Sequence, residues 1–442
     1  MQTRYYKVIR DLTSDYSKNF MLVLAIALGV FGIGFILGGY SVIKREMTEN
    51  YMGTKPASAT IETEGAITKE LIDSIKQFPG IAEAERHATL VARMKVGEKW
   101  YPLLLFIIDD FNDKRTNRFY HVSGKSDPSI GAMLAERTAF VVMQAKEGDE
   151  IIIKTPNGHP QKIKLVGTVH DPGLAPAWQE QAGYGYISMT TLRLLGETQG
   201  FDQLRILVSE QTNSREHITE KAQAVAEQLK KSGYEIHEIQ VPPPGKHPHQ
   251  GQMSAVMSIF IVFSFLILIL GSILVATSMA TLMVKQVRQI GVMKTIGADS
   301  LQIAGLYLVM ITILCIVALG IAIPLSMLAA SGFYNQIAVL LNLEIRNTSI
   351  PYWVPLLQIG TGIIIPLAAA AFPVIRGSRI SVRNALDNHG VNIISMNQNS
   401  WLVRLSQIRF FSETFRLSIR NVFRQRSRLT MTLGLLAAGG AM

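Results

Sequence analysis

The sequence predicts a multi-pass α-helical membrane protein with four complete transmembrane helices, a truncated fifth, and a large α+β extracytoplasmic domain between helices 1 and 2. Three observations predict it. Four apolar runs, residues 20–42, 254–283, 301–330 and 354–375, match or exceed the roughly 20 residues that span a bilayer core. The second and third hold no Lys, Arg, Asp or Glu, and a charge at the centre of a membrane helix costs about 2.5 to 3.5 kcal/mol on insertion scales. A long stretch of mixed polarity, residues 43–253, separates the first run from the second.

Residues 1–19 carry Arg4, Lys7, Arg10 and Lys18 ahead of the first span. That run is too long for the apolar core of a signal peptide, and no small-residue cleavage site precedes Lys44-Arg45-Glu46. A retained anchor is the expectation. Within it Gly29, Gly32, Gly34, Gly38 and Gly39 suit close helix packing, and Gly34-xxx-Gly38 is the tightest match to the small-xxx-small pattern.

The domain 43–253 has a strand-helix-strand stretch near each end. Residues 59–63 alternate like a strand, a helix follows from Thr68 with Leu71, Ile72, Ile75 and Phe78 on one face, and Pro79-Gly80 stops it before strand-like sequence up to Ile108. In the second, residues 204–208 form the strand and Asn213 with Glu216 a capping box. Ile218, Ala222, Val225, Ala226 and Leu229 then line a helix face, before a strand at 234–241. Two such units pair into one α+β sandwich. Between them, about 112–200, lies a β-rich insertion in which Pro156-Asn157-Gly158 joins a hairpin of 150–154 and 162–169. Residues 171–186, rich in Gly, Pro and Ala around Trp178, Tyr184 and Tyr186, read as a long loop or flap. The prolines at 242–244 and 248 predict an extended, stiff exit.

Charge sets the topology. Residues 43–255 hold 25 Lys plus Arg against 27 Asp plus Glu, so of the total +10 the remaining segments carry +12. It clusters in residues 1–19, in the loop 284–300 with Lys285, Arg288 and Lys294, and in the linker 376–428, which has ten arginines against Asp387 and Glu413. By the positive-inside rule these three face the cytoplasm, and the domain and the loop 331–353 lie outside. A basic pI therefore does not indicate nucleic acid, whose binders place the excess on a folded domain; attraction to membrane lipid is the expected by-product. The last apolar run, 429–442, is too short to span and implies a fifth helix cut short.

Several chemistries are excluded or disfavoured. Gly124-Lys125-Ser126 has Phe119 where a phosphate loop needs its first glycine, so the chain does not hydrolyse ATP by that route. No GxSxG or HExxH occurs, and no paired carboxylates lie inside a span. His170-Asp171 is the nearest thing to a catalytic pair, and such a loop pair is usually structural. His237, His247 and His249 lack the Cys or acidic partners of a metal site. Cys315, the sole cysteine, falls within the third span and reads as a packing residue, so the exported domain has no disulfides to lean on.

The motif RQIGVMKTIGA at residues 288–298, together with one span, a large domain and three further spans, resembles the FtsX-like family of ABC transporter permeases, which includes MacB-type efflux and lipoprotein-releasing subunits. The resemblance implies a MacB-like periplasmic core in 43–253 and a coupling role for Arg288, Gly291, Lys294 and Gly297. It implies a non-catalytic subunit that binds no cofactor, works with a separate ABC ATPase dimer holding ATP and Mg, and exports or extracts a substrate, with an envelope adaptor as a possible further partner. The two glycines are expected to bracket a short helix that docks on the ATPase. The alternative is a mechanotransmitting scaffold that activates a cell-wall hydrolase or a sensor kinase without transport. Tyr5, Ile9, Arg10, Asp11, Leu12, Ser17 and Lys18 recur as Phe415, Ile419, Arg420, Asn421, Val422, Ser427 and Arg428, each set ahead of an apolar run. Such a repeat points to the N-terminal half of a duplicated permease, with an interfacial helix on the face of Tyr5, Ile9 and Leu12.

Overall fold

A backbone in lipid must satisfy its polar groups internally, and a helix does so within one segment. All four expected spans are helical in the computed structural model, which describes residues 2–14, 16–248 and 250–386. The chain opens with α1 (Gln2–Ser14), α2 (Tyr16–Gly53), β1 (Ala59–Glu64), α3 (Lys69–Lys76), β2 (Ile81–Val96), β3 (Lys99–Ile108), β4 (Tyr120–Gly124) and β5 (Ala132–Glu136). It continues with α4 (Ala139–Met143), β6 (Glu150–Lys154), β7 (Gln161–His170), α5 (Ala177–Glu180), β8 (Gly183–Ser188), α6 (Met189–Leu194), β9 (Gln203–Val208), α7 (Arg215–Lys231) and β10 (Glu235–Gln240). Then come α8 (Gln250–Lys285), α9 (Val287–Thr295), α10 (Ser300–Leu340), α11 (Trp353–Ser378) and α12 (Val382–Leu386). Residues 387–442 and His249 lie outside the described residues, as do the linker's end, the fifth apolar run and the 415–428 repeat. Contacts group the chain into a helical unit built on Met1–Ser41, Ala255–Phe333 and the residues from Ser349, and a sheet unit of Val42–Ser254 with Tyr334–Thr348.

In the helical unit α2, α8, α10 and α11 are long and apolar enough to cross a membrane. Two of them far outrun their apolar sequences, α2 to Gly53 and α10 to Leu340. In α2 charge ends the hydropathy signal, but Lys, Arg, Glu and Met remain good helix formers. The core includes Val30 and Ile33 of α2, Leu268 and Val275 of α8, Ile311 of α10 and Val374 of α11. Cys315, a free thiol, is buried among them. A Cβ on Gly34 would lie 1.9 Å from Gln358 Nε2, whereas one on Gly38 would make an ordinary 3.4 Å contact with Ile350. The close approach is therefore at Gly34. In α1, Val8 is buried and Leu12 packs on the core, while Ile9 is 58% exposed. Val8 and Leu12, four residues apart, lie one turn above the other on the side of α1 that meets the core.

The sheet unit is a ten-stranded sheet in the order β10-β1-β9-β2-β3-β8-β5-β7-β4, with β6 pairing β2 and β7. The two expected units, β1-α3-β2 and β9-α7-β10, interleave at one end over a core holding Ile72 and Ile75 of α3 and Ile218, Ala222, Val225, Ala226 and Leu229 of α7. Thr68 caps α3. The α7 cap is Ser214 rather than Asn213: Arg215 is the first helical residue, and Ser214 Oγ accepts from His217 N at 3.3 Å. The 150–154 hairpin forms as expected, with Ile151 facing Ile163.

The flap is only half a loop. Its end is β8, a buried strand parallel to β3 and antiparallel to β5. Its glycines make room for side chains, since a Cβ on Gly185 would sit 2.1 Å from Met133 Sδ; glycine here marks close packing, not a turn. The proline-rich exit is not a straight rod either, because the chain turns at Gly245 with φ +65°.

Candidate coupling site

The connection between α8 and α10 starts with a break. Gln286, with φ −100° and ψ 11°, separates α8 from α9. Its side chain is a junction, accepting from Lys7 Nζ at 3.0 Å and from the Tyr307 hydroxyl while donating to Asp11 Oδ2 at 3.3 Å. Lys7 also pairs with Asp11 at 2.6 Å. One glutamine thereby fastens α1 and α10 at the start of α9.

The four residues singled out in sequence take different positions. Gly291 lies in mid-helix and is buried beside Ile290, on a helix that packs against α12. The expected bracketing by two glycines is corrected: Gly297 alone ends α9. With φ +97° it donates from N to Lys294 O, and Ala298 donates to Met293 O, each at 3.0 Å, a Schellman ending that satisfies the last carbonyls. Lys294 turns inward, its Nζ 2.9 Å from both Ser300 Oγ and the carbonyl of Ile380. Arg288 is exposed.

The outward face was missed by charge counting. Val284, Arg288, Val292 and Ile296 follow at intervals of four, with Val292 46% and Ile296 81% exposed. In a segment noted for its charges, the spacing of those three aliphatic residues was the available signal.

A second cluster occupies the sheet unit, where residues 342–347 meet the end of β5 and the last turns of α2. Asn342, held at φ +57°, donates to Glu136 Oε1 at 2.7 Å and accepts from Arg137 Nε through its amide oxygen. Arg137 also donates to Asn342 O at 3.1 Å. Glu46, on the last turns of α2, accepts from the backbone N–H groups of Arg346 and Asn347 at 2.8 and 3.2 Å. His170 is buried 3.6 Å from Glu136, and Asp171 instead accepts from the Tyr186 hydroxyl at 2.8 Å. The pair is dispersed into separate structural contacts. Burial raises the Glu136 pKa, but His170, Thr138 and Asn342 outweigh it and hold the carboxyl below its ordinary value. Lys114 Nζ sits 4.3 Å over the Phe119 ring, and burial pushes its pKa down to about 8. His247 bonds the carbonyl of Pro172 at 2.8 Å, and among the described residues no three His, Cys, Asp or Glu side chains form a metal-holding group.

These elements define a multi-pass membrane protein with an α+β domain between its first and second membrane helices. Residues 261–382, covering most of α8 through α11, match the family described as FtsX-like permease C-terminal. Over those residues the chain is similar to an FtsX-like permease domain. No curated protein matches the sequence. Similar solved structures include the extracellular domain of the noncanonic ABC-type transporter YknZ from Gram-positive bacteria, at 14% identity over 40% of this chain and 100% of that one, TM-score 0.29. Another is the periplasmic region of MacB from Actinobacillus actinomycetemcomitans, at 12% identity over 47% and 97%, TM-score 0.30.

Proposed function

We propose that this chain is the membrane permease subunit of an ABC transport system, driven by a separate ATPase that docks on α9 and acting on a substrate at the outer face of the membrane. The observation that carries the reading is the exposed set of Arg288 and Val292 on the short helix α9 and Ile296 at its C-cap, with Val284 exposed at the end of α8, inside the matched permease domain. Apolar side chains left at a water-facing helix mark an interaction site. Arg288 adds a cation at the same face, suited to an acidic rim on the partner.

In this reading α1, α9 and α12 are cytoplasmic, and the sheet unit is outside. Gln286 and Lys294 set the posture of α9, Gly291 lets it pack closely, Gly297 ends it, and the outward side chains engage the ATPase. Movement reaches the sheet unit through α2 and α8, each of which continues without a break from one unit into the other. The test is co-purification of the full protein with an ATPase and assay of Mg-ATP hydrolysis. Ile296→Asp or Arg288→Glu is expected to lower recovery of the ATPase and its hydrolysis at least tenfold while the permease stays folded. Wild-type recovery and activity in both variants would refute docking through α9.

A further inference from the structure

We infer that Gln358 is a positioning residue, a pin that fixes α2, α10 and α11 in register so that displacement of α9 is delivered to α2. The inference rests on the docking role of α9. Gln358 is fully buried in α11. Its Nε2 donates to the carbonyl of Val30 in α2 at 3.1 Å and to Ser326 Oγ in α10 at 3.0 Å. The directions are fixed by chemistry: a carbonyl only accepts, and the Ser326 hydroxyl proton is already given to Ile323 O at 2.8 Å. One amide thus uses both of its protons on two neighbouring helices.

The pin needs a notch, and Gly34 supplies it. A methyl there would stand 1.9 Å from Nε2 and 2.5 Å from Ser326 Oγ. Gln358 Oε1, by contrast, has no hydrogen-bond partner among the described residues. A buried acceptor left so is costly, and a glutamine that served only to tighten packing would be better replaced by an aliphatic residue. What the amide adds is a fixed position.

The other end of α11 explains what that position serves. Lys294 of α9 grips the carbonyl of Ile380, two residues beyond the end of α11. From residue 358 to residue 380 a helix rising about 1.5 Å per residue covers about 30 Å, so α11 is fastened to α9 at one end and to α2 and α10 at the other. Pro366 and Pro373 lie between the anchors, and each removes a backbone hydrogen bond and softens the helix. The prolines let α11 flex between its anchors, and the pin keeps its far end seated on α2 and α10 while it does so.

The test uses the full protein in nanodiscs with its co-purifying ATPase, comparing Gly34→Ala, Gln358→Ala and the double variant, with Arg288→Glu as the docking control. Gly34→Ala is expected to destabilise the wild-type background and to be tolerated once Gln358→Ala empties the notch. The two changes should be non-additive by at least about threefold in the unfolding equilibrium, the scale of interhelical hydrogen bonds in membranes. Additive effects would overturn the pin geometry. The double variant should regain stability yet hydrolyse Mg-ATP at least about threefold more slowly; wild-type hydrolysis in it, with loss in Arg288→Glu, overturns the transmission role alone. Unchanged hydrolysis in Arg288→Glu overturns the docking reading, and the transmission role falls with it.

Discussion

The cluster around Asn342 and the outward face of α9 are opposite solutions to placing side chains. Around Asn342, a buried carboxylate and a half-buried guanidinium are met by amides, hydroxyls and backbone groups. On α9, aliphatic side chains stand in the open with a cation among them. The first is complete within the chain, and a change there strands charges. The second gains nothing within the chain, so a change there should leave the fold alone and alter what binds. The contrast predicts a graded series in stability.

Asn342→Ala should have the largest effect, about 3 kcal/mol, because it removes the amide donor to Glu136 Oε1 and the amide acceptor of Arg137 Nε, two hydrogen bonds to charged groups. Hydrogen exchange of the full protein should then show faster opening of β5 and β7. Gly34→Ala should follow at about 1 to 3 kcal/mol through overpacking, whereas Gly38→Ala, with only a 3.4 Å contact to meet, should stay within about 0.5 kcal/mol in the same thermal unfolding assay. Acid should come next. A carboxyl held below its ordinary pKa in the folded state stabilises above the unfolded value and loses that contribution as pH falls through the folded one. The sheet unit should therefore weaken below the usual glutamate range, and Glu136→Gln should flatten that part of the pH profile. Smallest is Ile296→Asp, within about 0.5 kcal/mol of wild type in unfolding yet at least tenfold poorer at retaining an ATPase. A large loss of stability there would erase the distinction between the two regions.

What was legible in the sequence followed periodicity and charge. The four spans, the two strand-helix-strand units and the five buried positions of α7 come from patterns intrinsic to one segment. The misreadings share a cause. Gly183 and Gly185 resemble loop residues until Met94 and Met133, respectively, occupy the space they leave, and Gly291 resembles a bracket until its helix is seen to continue around it. Lys294 counts as a loop charge in the sequence but is spent on the Ile380 carbonyl, 86 residues away. Gln358 and Asn342 went unremarked because a lone polar residue has no period, and their partners at Val30 and Glu136 are 328 and 206 residues distant.

The seat of residues 334–348 changes how the protein should be handled at the bench. In sequence the loop 331–353 lies between two spans and invites an epitope or reporter. Its centre is instead committed: Asn342 to Glu136 and Arg137, and the N–H groups of Arg346 and Asn347 to Glu46. A tag at 342–347 would displace those contacts, and poor expression could be misread as inverted orientation. The hairpin turn at Gly97-Glu98, where Gly97 has φ +59° and open space around it, accepts an insertion at far smaller cost.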